Sequence, residues 1–150
     1  MRIALYEPEI AGHDGAVLRL GACLGAGADL IEPLGFVWDD RRVRRAAMDY
    51  IDHVAVTRHA GFGAFQAAAG ASRLVLFTTK SSASIYDFAF RPDDVLLFGK
   101  ESAGVPQQVA DACQARVRIP IRAEVRSMNL ATAAAIALAE ALRQTGSLPG

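Results

Sequence analysis

Residues 95–106 read Val95-Leu96-Leu97-Phe98-Gly99-Lys100-Glu101-Ser102-Ala103-Gly104-Val105-Pro106, an apolar strand that stops at a glycine and continues as a polar loop. A second apolar segment, residues 117–121, is followed by Arg126-Ser127-Met128-Asn129-Leu130, which opens a helix. A glycine at the end of a strand lets the backbone approach a ligand, because no Cβ stands in the way. Ligands of open parallel sheets bind beyond the carboxyl ends of the strands. The two loops therefore predict a binding site at that edge of a sheet.

Apolar runs and helical patterns alternate on both sides of this stretch. The runs predict six strands, at residues 2–6, 29–32, 53–57, 73–78, 95–98 and 116–119. The helical patterns cover residues 15–25, 39 or 40 to about 48, 62–69, 106–113 and 128–145. Asp14 is expected to cap the first helix, and Gly25 to end it. This alternation predicts an α/β fold, a parallel sheet flanked by helices on both faces.

The composition predicts a globular protein. The chain has 150 residues, of which 52% are hydrophobic and 21% charged, which favours one domain over residues 1–150. No apolar run approaches the roughly 20 residues that span a bilayer, so no membrane association is expected. Cys23 and Cys113 lie far apart, with no CxxC motif and no histidine at zinc-ligand spacing. We expect reduced thiols in a cytoplasmic protein and no metal site.

The formal net charge is zero, so no general positive field points to nucleic acid. Four arginines nevertheless fall within five positions: Arg41, Arg42, Arg44 and Arg45. This cluster is compatible with phosphate binding, although such a run is more often a solvated helix face. His59 is a candidate RNA contact, and Tyr86, Phe88 and Phe90 are candidate groups for base stacking. A dinucleotide-binding fingerprint and a Walker lysine motif are both absent.

Several segments, taken together, resemble the SPOUT superfamily of RNA methyltransferases, and within it the small bacterial enzymes that 2′-O-methylate the wobble nucleotide of leucine tRNAs. The similar segments cover nearly the whole chain, in order: residues 5–10, 31–36, 44–50, 56–59, 78–80, 98–106, 119–120 and 126–130. Each segment is unspecific by itself, and the specificity lies in their combination.

The resemblance implies a C-terminal deep trefoil knot, which general topology disfavours. It also implies S-adenosylmethionine (AdoMet) as cofactor, a tRNA anticodon stem-loop as substrate, and a homodimer whose site uses both subunits. Carried over residue by residue, the cofactor contacts are Phe77, Gly99, Gly104, Ile119, Ser127 and Met128. Adenine requires an apolar slot with backbone hydrogen-bonding groups, which these residue types can provide.

The resemblance also implies the catalytic residues. Arg19 matches an arginine that the family places near the ribose 2′-hydroxyl and the adjacent phosphate. Because a guanidinium is a poor base, phosphate binding and orientation are its expected roles. Ser127 and Asn129 are expected to hydrogen-bond the ribose or the cofactor carboxylate, and Glu101 to orient Arg19 or loop amides. The structural alternatives are a surface arginine, a helix cap at Ser127 and a structural salt bridge at Glu101.

The first motif departs from the family pattern. The family carries asparagine where this chain has His13 and Ala16, proline where it has Lys100, and often tyrosine where it has Ala139. An asparagine offers a donor and an acceptor, and alanine offers neither. Three functions stay open: wobble methylation, the same chemistry at another tRNA or ribosomal RNA site, and a non-catalytic AdoMet- or RNA-binding homologue.

Overall fold

The computed structural model describes residues 1–150 and contains six strands, five α-helices and a short 3-10 helix. The strands are β1 (Arg2–Tyr6), β2 (Gly27–Ile31), β3 (Val56–His59), β4 (Leu74–Phe77), β5 (Val95–Phe98) and β6 (Ala115–Val117). The α-helices are α1 (Ala11–Leu24), α2 (Asp40–Ala46), α3 (Phe62–Ala69), α4 (Gln107–Ala112) and α5 (Leu130–Gln144). The 3-10 helix covers Tyr50–His53. All six predicted strands and all five predicted helices are present.

The strands form one parallel sheet in the order β3-β2-β1-β5-β4-β6. On one side of β1 the sheet continues with β2 and β3, and on its other side with β5, β4 and β6. β1 and β5 are therefore neighbours although they are far apart in sequence, with Leu5 paired to Phe98. The order of the strands along the sheet reverses between β1 and β5. Because these strands are parallel, their carboxyl ends lie side by side at the edge where open sheets bind ligands. The predicted α/β fold with a parallel sheet is confirmed.

Alternating side chains of the strands bury two cores. On one face Ile3 and Leu5 of β1 pack in a cluster with α5, which supplies Ala134, Ala137 and Leu138. On the other face Ala4 and Tyr6 pack in a cluster with α3 and α4, which supply Phe65, Val109 and Ala110. Successive strand residues point to opposite faces, so one short strand serves both cores. The small alanines of α5 let that helix lie close to the sheet.

Helix α1 and strand β3 begin at other residues than the sequence predicts. Helix α1 begins at Ala11 rather than residue 15, so Asp14 is not its cap but lies fully buried in its first turn. Strand β3 starts at Val56 because the 3-10 helix occupies Tyr50–His53. The predicted end at Gly25 is confirmed by its left-handed conformation (φ 76°), and Asp39 caps α2 by accepting from the Arg41 amide.

The long irregular segment between β4 and β5 is mostly structural. Its backbone hydrogen-bonds to the chain after β6: the Arg118 amide donates to the Ala83 carbonyl, and the Ile85 amide donates to the Arg118 carbonyl. Ile85 and Phe90 are buried, and Phe88 packs edge-on against Phe90. Only Tyr86 of the three aromatic residues proposed for base stacking is well exposed. The assignment of Phe90 as a stacking group is therefore wrong.

His59 is also a structural residue. Its ring is 7% exposed, its Nε2 lies 2.8 Å from an Asp29 carboxylate oxygen, and it packs edge-on against Phe65. Asp29 additionally accepts from Arg2 at 2.7 Å. Buried polar groups need such partners, and here β1, β2 and β3 are tied together by them. The suggestion that His59 contacts RNA is not supported, because the ring faces the interior.

No helix combines the length and apolar composition that crossing a membrane requires. Nor are three or more His, Cys, Asp or Glu side chains grouped so that they could hold a metal ion.

Candidate functional site

A cavity of about 850 Å³ lies at the carboxyl ends of β4, β5 and β6 and at the start of α5. Its size is within the range of sites for small molecules and cofactors. Eight of the nine residues named from the sequence line it: Phe77, Gly99, Glu101, Gly104, Ile119, Ser127, Met128 and Asn129. The ninth, Arg19, does not. The loop after β5 and the loop between β6 and α5 therefore meet at one site, as their sequence predicted.

The loop after β5 closes on itself. The Lys100 amide donates to the Gly104 carbonyl at 3.0 Å, and the Gly104 amide donates to the Lys100 carbonyl at 2.8 Å. Gly104 has φ 66°, a conformation that glycine adopts without strain. A Cβ on Gly99 would lie 2.6 Å from the Gly104 Cα, so only glycine permits this approach. The backbone of the loop is thereby fixed along the wall of the cavity.

A reciprocal hydrogen-bonded clamp joins this loop to the segment after β1. The Glu9 carboxylate accepts from the Ser102 amide at 3.0 Å and from its hydroxyl at 2.7 Å. In return, the Glu101 carboxylate accepts from the Glu9 amide at 3.0 Å. The hydrogen bonds from Ser102 lower the pKa of Glu9. Of the two orienting roles expected for Glu101, the structure shows the contact with a loop amide.

Aromatic and aliphatic side chains form the apolar part of the cavity. Phe77, at the end of β4, stacks on Phe98 with a centroid distance of 4.7 Å and an interplanar angle of 14°. Phe77 is half-buried, as is Ile119, and both line the cavity. Thr78 to Ser82 continue the wall with polar groups. The cavity thus combines a flat apolar surface with hydroxyl and backbone polar groups, which suits a purine nucleoside.

Arg19 projects from an exposed position on α1. Its Nη1 lies 2.7 Å from the Met48 sulfur, and its guanidinium carbon lies 5.4 Å from the centre of the Tyr50 ring. Met48 and Tyr50 are themselves 56% and 39% exposed. The expected contact between Glu101 and Arg19 is absent within one chain. Arg19 instead forms part of a surface patch of α1 and the segment after α2.

Asn129, rather than Ser127, caps α5. The Asn129 side-chain oxygen accepts from the Thr132 amide at 3.2 Å, while its nitrogen lies 3.1 Å from Nε2 of His13. Ser127 is exposed at the mouth of the cavity, two residues before the cap. The alternative assignment of Ser127 as a helix cap is therefore wrong. His13, noted in the sequence only as a departure, also lines the cavity.

Asp14, the residue after His13 in α1, makes no hydrogen bond through its carboxyl group. Its side chain is fully buried, and neither carboxylate oxygen has a partner. Burial, and secondarily the Glu101 charge, raises the pKa of Asp14 to about 8. The residue is therefore protonated and uncharged in the folded protein at neutral pH.

Sequence reasoning missed the roles of Glu9 and Asp14. Glu9 falls in a segment that carried the family resemblance, but it received no function of its own. The signal for Glu9 was a carboxylate in the segment after β1. Its contact with the loop after β5 could be recognised only once β1 and β5 were known to be neighbours. Asp14 looked like a cap because acidic residues are frequent at helix starts.

The four-arginine cluster is exposed along α2. Arg44 forms a bidentate salt bridge with Asp52, with both N–O distances at 3.1 Å, and Arg42 lies 3.8 Å from Asp39. Arg41 and Arg45 have no acidic partner within ion-pair distance and, four residues apart, share one helix face. These two are the members of the cluster that are available to a phosphate.

Comparison with known proteins gives consistent results. Residues 1–139 match the model of the SpoU rRNA Methylase family. A tRNA (cytidine(34)-2'-O)-methyltransferase of Beijerinckia indica is 55% identical over 148 residues, 97% of this chain and 92% of the relative. One of Escherichia coli K12 is 43% identical over 97% of this chain and 94% of the relative.

Solved structures share the fold. One from a study of 2′-OH methylation of C/U34 on tRNA has a TM-score of 0.91 at 41% identity, covering 95% of this chain and 94% of that one. An AdoMet-bound rRNA methyltransferase from Sinorhizobium meliloti has a TM-score of 0.86 at 28% identity, covering 95% of this chain and 55% of that one.

Replacement of Asp14 by asparagine is expected to change how stability depends on pH. Because the pKa of Asp14 is raised in the fold, its contribution to stability is greatest below pH 4 and decreases until about pH 8. Between pH 5 and 7 the free energy of unfolding of the natural protein should fall by about 2–3 kcal/mol relative to Asp14→Asn. Urea denaturation at these pH values measures the difference. The exposed Asp87→Asn variant is the control, and a constant difference for Asp14→Asn would mean that Asp14 is ionised in the fold.

Proposed function

The chain belongs to the SpoU rRNA Methylase family, and we propose that it is an AdoMet-dependent tRNA 2′-O-methyltransferase that acts on the wobble pyrimidine of leucine tRNAs. The observation that carries the proposal is the convergence of both glycine- and serine-containing loops on one cavity. The relatives named for methylation of tRNA cytidine 34 support the nucleotide and its position. The leucine isoacceptors rest on the family resemblance.

The cavity fits AdoMet. When bound, the cofactor supplies a methyl group on a positively charged sulfur. Phe77 and Ile119 would hold the adenine, and the backbone at Gly99 and Gly104 can approach it closely because neither residue has a side chain. Ser127 and Met128 complete the pocket at its mouth. AdoMet bound to the Sinorhizobium meliloti structure supports the same cofactor here.

The remaining polar groups would prepare the ribose for attack. The 2′-hydroxyl is a weak nucleophile, so the site must orient it, and its proton must be lost to water as it reacts. Asn129, held by its cap hydrogen bond, would orient the ribose, and Glu101 would fix the loop through the Glu9 amide. Arg19 would bind the adjacent phosphate and orient the hydroxyl. A guanidinium remains protonated at neutral pH, which suits binding rather than proton acceptance.

We propose a homodimer in which Arg19 of one protomer completes the cavity of its partner. Arg19 lies outside the cavity of its own chain, on a surface where Met48 and Tyr50 are exposed. A second protomer seated on this patch would cover apolar surface and deliver the arginine. The Arg41 and Arg45 face would then contribute phosphate contacts from both subunits to a tRNA anticodon stem-loop in the cytoplasm.

We further infer that residues 1–150 are one domain whose C-terminal segment forms a trefoil knot. After β6 at the sheet edge, the chain returns to α5, which packs against α1 and β5. On the way it is clasped by the segment between β4 and β5, through Ala83, Ile85 and Arg118. A knot requires the chain to pass through a loop, and these hydrogen bonds between the returning chain and the segment before β5 support the proposal.

A methyl-transfer assay tests the function. Labelled AdoMet is incubated with bulk tRNA that lacks wobble ribose methylation, and the labelled nucleoside is identified by digestion and mass spectrometry. A 2′-O-methylpyrimidine at position 34 of leucine tRNAs is the expected product. Label at another site would assign a different target, and AdoMet binding without transfer to any RNA would favour a non-catalytic homologue.

Gly99→Ala is expected to weaken AdoMet binding at least about tenfold, because the new Cβ would force the loop away from Gly104. Titration calorimetry measures the affinity, and circular dichroism shows whether the fold is kept. Gly63→Ala is the matched control, since a Cβ there meets no atom within 4 Å. Unchanged affinity in Gly99→Ala would remove this loop from the cofactor site.

Arg19→Ala is expected to abolish methyl transfer while AdoMet affinity stays unchanged, because the proposed role of Arg19 is to bind the RNA phosphate and not the cofactor. Co-expression of differently tagged Arg19→Ala and Gly99→Ala chains tests where the arginine acts. In the mixed dimer, the intact cavity of the Arg19→Ala chain receives Arg19 from its partner, so activity should return. Absence of activity in the mixed dimer would show that Arg19 acts within its own chain.

A further inference from the structure

His13 lies between two residues that the proposed chemistry uses. Its Nε2 is 3.1 Å from the Asn129 side-chain nitrogen, and its Nδ1 is 3.5 Å from a Glu101 carboxylate oxygen. Nδ1 and this Glu101 oxygen are both buried, and neither has a hydrogen-bond partner. His13 therefore bridges the loop after β5 and the start of α5 across the cavity wall.

The contacts define which ring nitrogen carries the proton. The Asn129 oxygen is used by the Thr132 amide, so the Asn129 group facing His13 is its NH₂ donor. Nε2 must then accept, and Nδ1 must carry the hydrogen, directed towards the carboxylate of Glu101. Neutral imidazole with the proton on Nδ1 fits both neighbours, because it accepts from Asn129 and points its N–H towards the Glu101 carboxylate.

In this form, imidazole offers what an asparagine side chain offers, one donor and one acceptor on opposite sides. The family pattern has asparagine at this position. An amide there could also donate to Glu101 and accept from Asn129. The histidine differs in one respect, because a second proton converts its acceptor into a donor.

We propose that neutral His13 is a positioning residue that holds Asn129 and Glu101 in place of the family's amide, and that its protonation makes methyl transfer sensitive to acid. The inference rests on the proposed function. In imidazolium, the Nε2–H would face the Asn129 NH₂, so two donors would oppose each other and Asn129 would turn away from the ribose. An enzyme with asparagine at this position would not have this dependence.

The charged groups around His13 allow this behaviour. Glu101 faces Nδ1 from the loop after β5, and Lys100 of the same loop lies 3.7 Å from Glu7. The Glu9 carboxylate is occupied by Ser102. Asp14, next to His13 on α1, is protonated below about pH 8 because burial raises its pKa. From α5 His13 meets only the uncharged amide of Asn129.

The first test compares the natural protein with His13→Asn and His13→Ala between pH 5.5 and 8. Because a proton on Nε2 removes the acceptor that holds Asn129, the rate of the natural protein divided by that of His13→Asn should fall towards pH 5.5. The ratio removes any pH dependence that both enzymes share. Near pH 8 His13→Asn should stay within about threefold of the natural rate, and His13→Ala should lose at least about tenfold at every pH. His53→Asn, at an exposed histidine, should leave the ratio constant.

A second test does not depend on activity. Nitrogen-15 NMR of the histidine rings, with His13 assigned by its loss in His13→Asn, should show the proton on Nδ1 near pH 8. A proton on Nε2, or an equal loss of rate on acidification in His13→Asn and the natural protein, would overturn the proposal. If no RNA accepts a methyl group, the proposed function fails, and the NMR result still decides whether His13 has the form that this role requires.

Discussion

The pairing of β5 between β1 and β4 is the constraint on which the rest of the structure depends. It places the end of β5 beside the ends of two strands from distant parts of the sequence. The Glu9 and Glu101 clamp can form only because these ends are neighbours, and the closed loop from Gly99 to Gly104 is fixed by it. The same pairing gives β5 a buried side chain on each face, so both cores hold the strand in register.

Near the ends of these strands, several polar side chains are buried without a hydrogen-bond partner, which is unfavourable. Asp14 is fully buried without a partner, and the contact between His13 and Glu101 is long. Unpaired buried polar groups lower stability and persist where function requires them. The buried Asp29 and His59 side chains, by contrast, pair with each other, so the unpaired groups of His13, Asp14 and Glu101 are consistent with a site selected for chemistry rather than for stability.

Of the departures from the family pattern, His13 and Lys100 line the cavity, whereas Ala16 and Ala139 are exposed on helices. Lys100 keeps a partner, Glu7, and adds a positive charge to the wall of the cavity. Ala16 is exposed on the same helix as Arg19, one turn earlier, so the loss of an amide there affects a surface rather than the cavity wall. The ring of His13 contacts Asn129 through Nε2 and faces Glu101 with Nδ1.

Local sequence determined the strands, the helices and the two loops that line the cavity, because apolar periodicity and strand-terminal glycines act over a few residues. Resemblance to a known family supplied the proposed cofactor contacts. Tertiary structure alone decided that Asp14 is buried, that Asn129 caps α5, and that Arg19 lies outside its own cavity. These features depend on which distant elements meet, and the sequence near each residue does not contain that information.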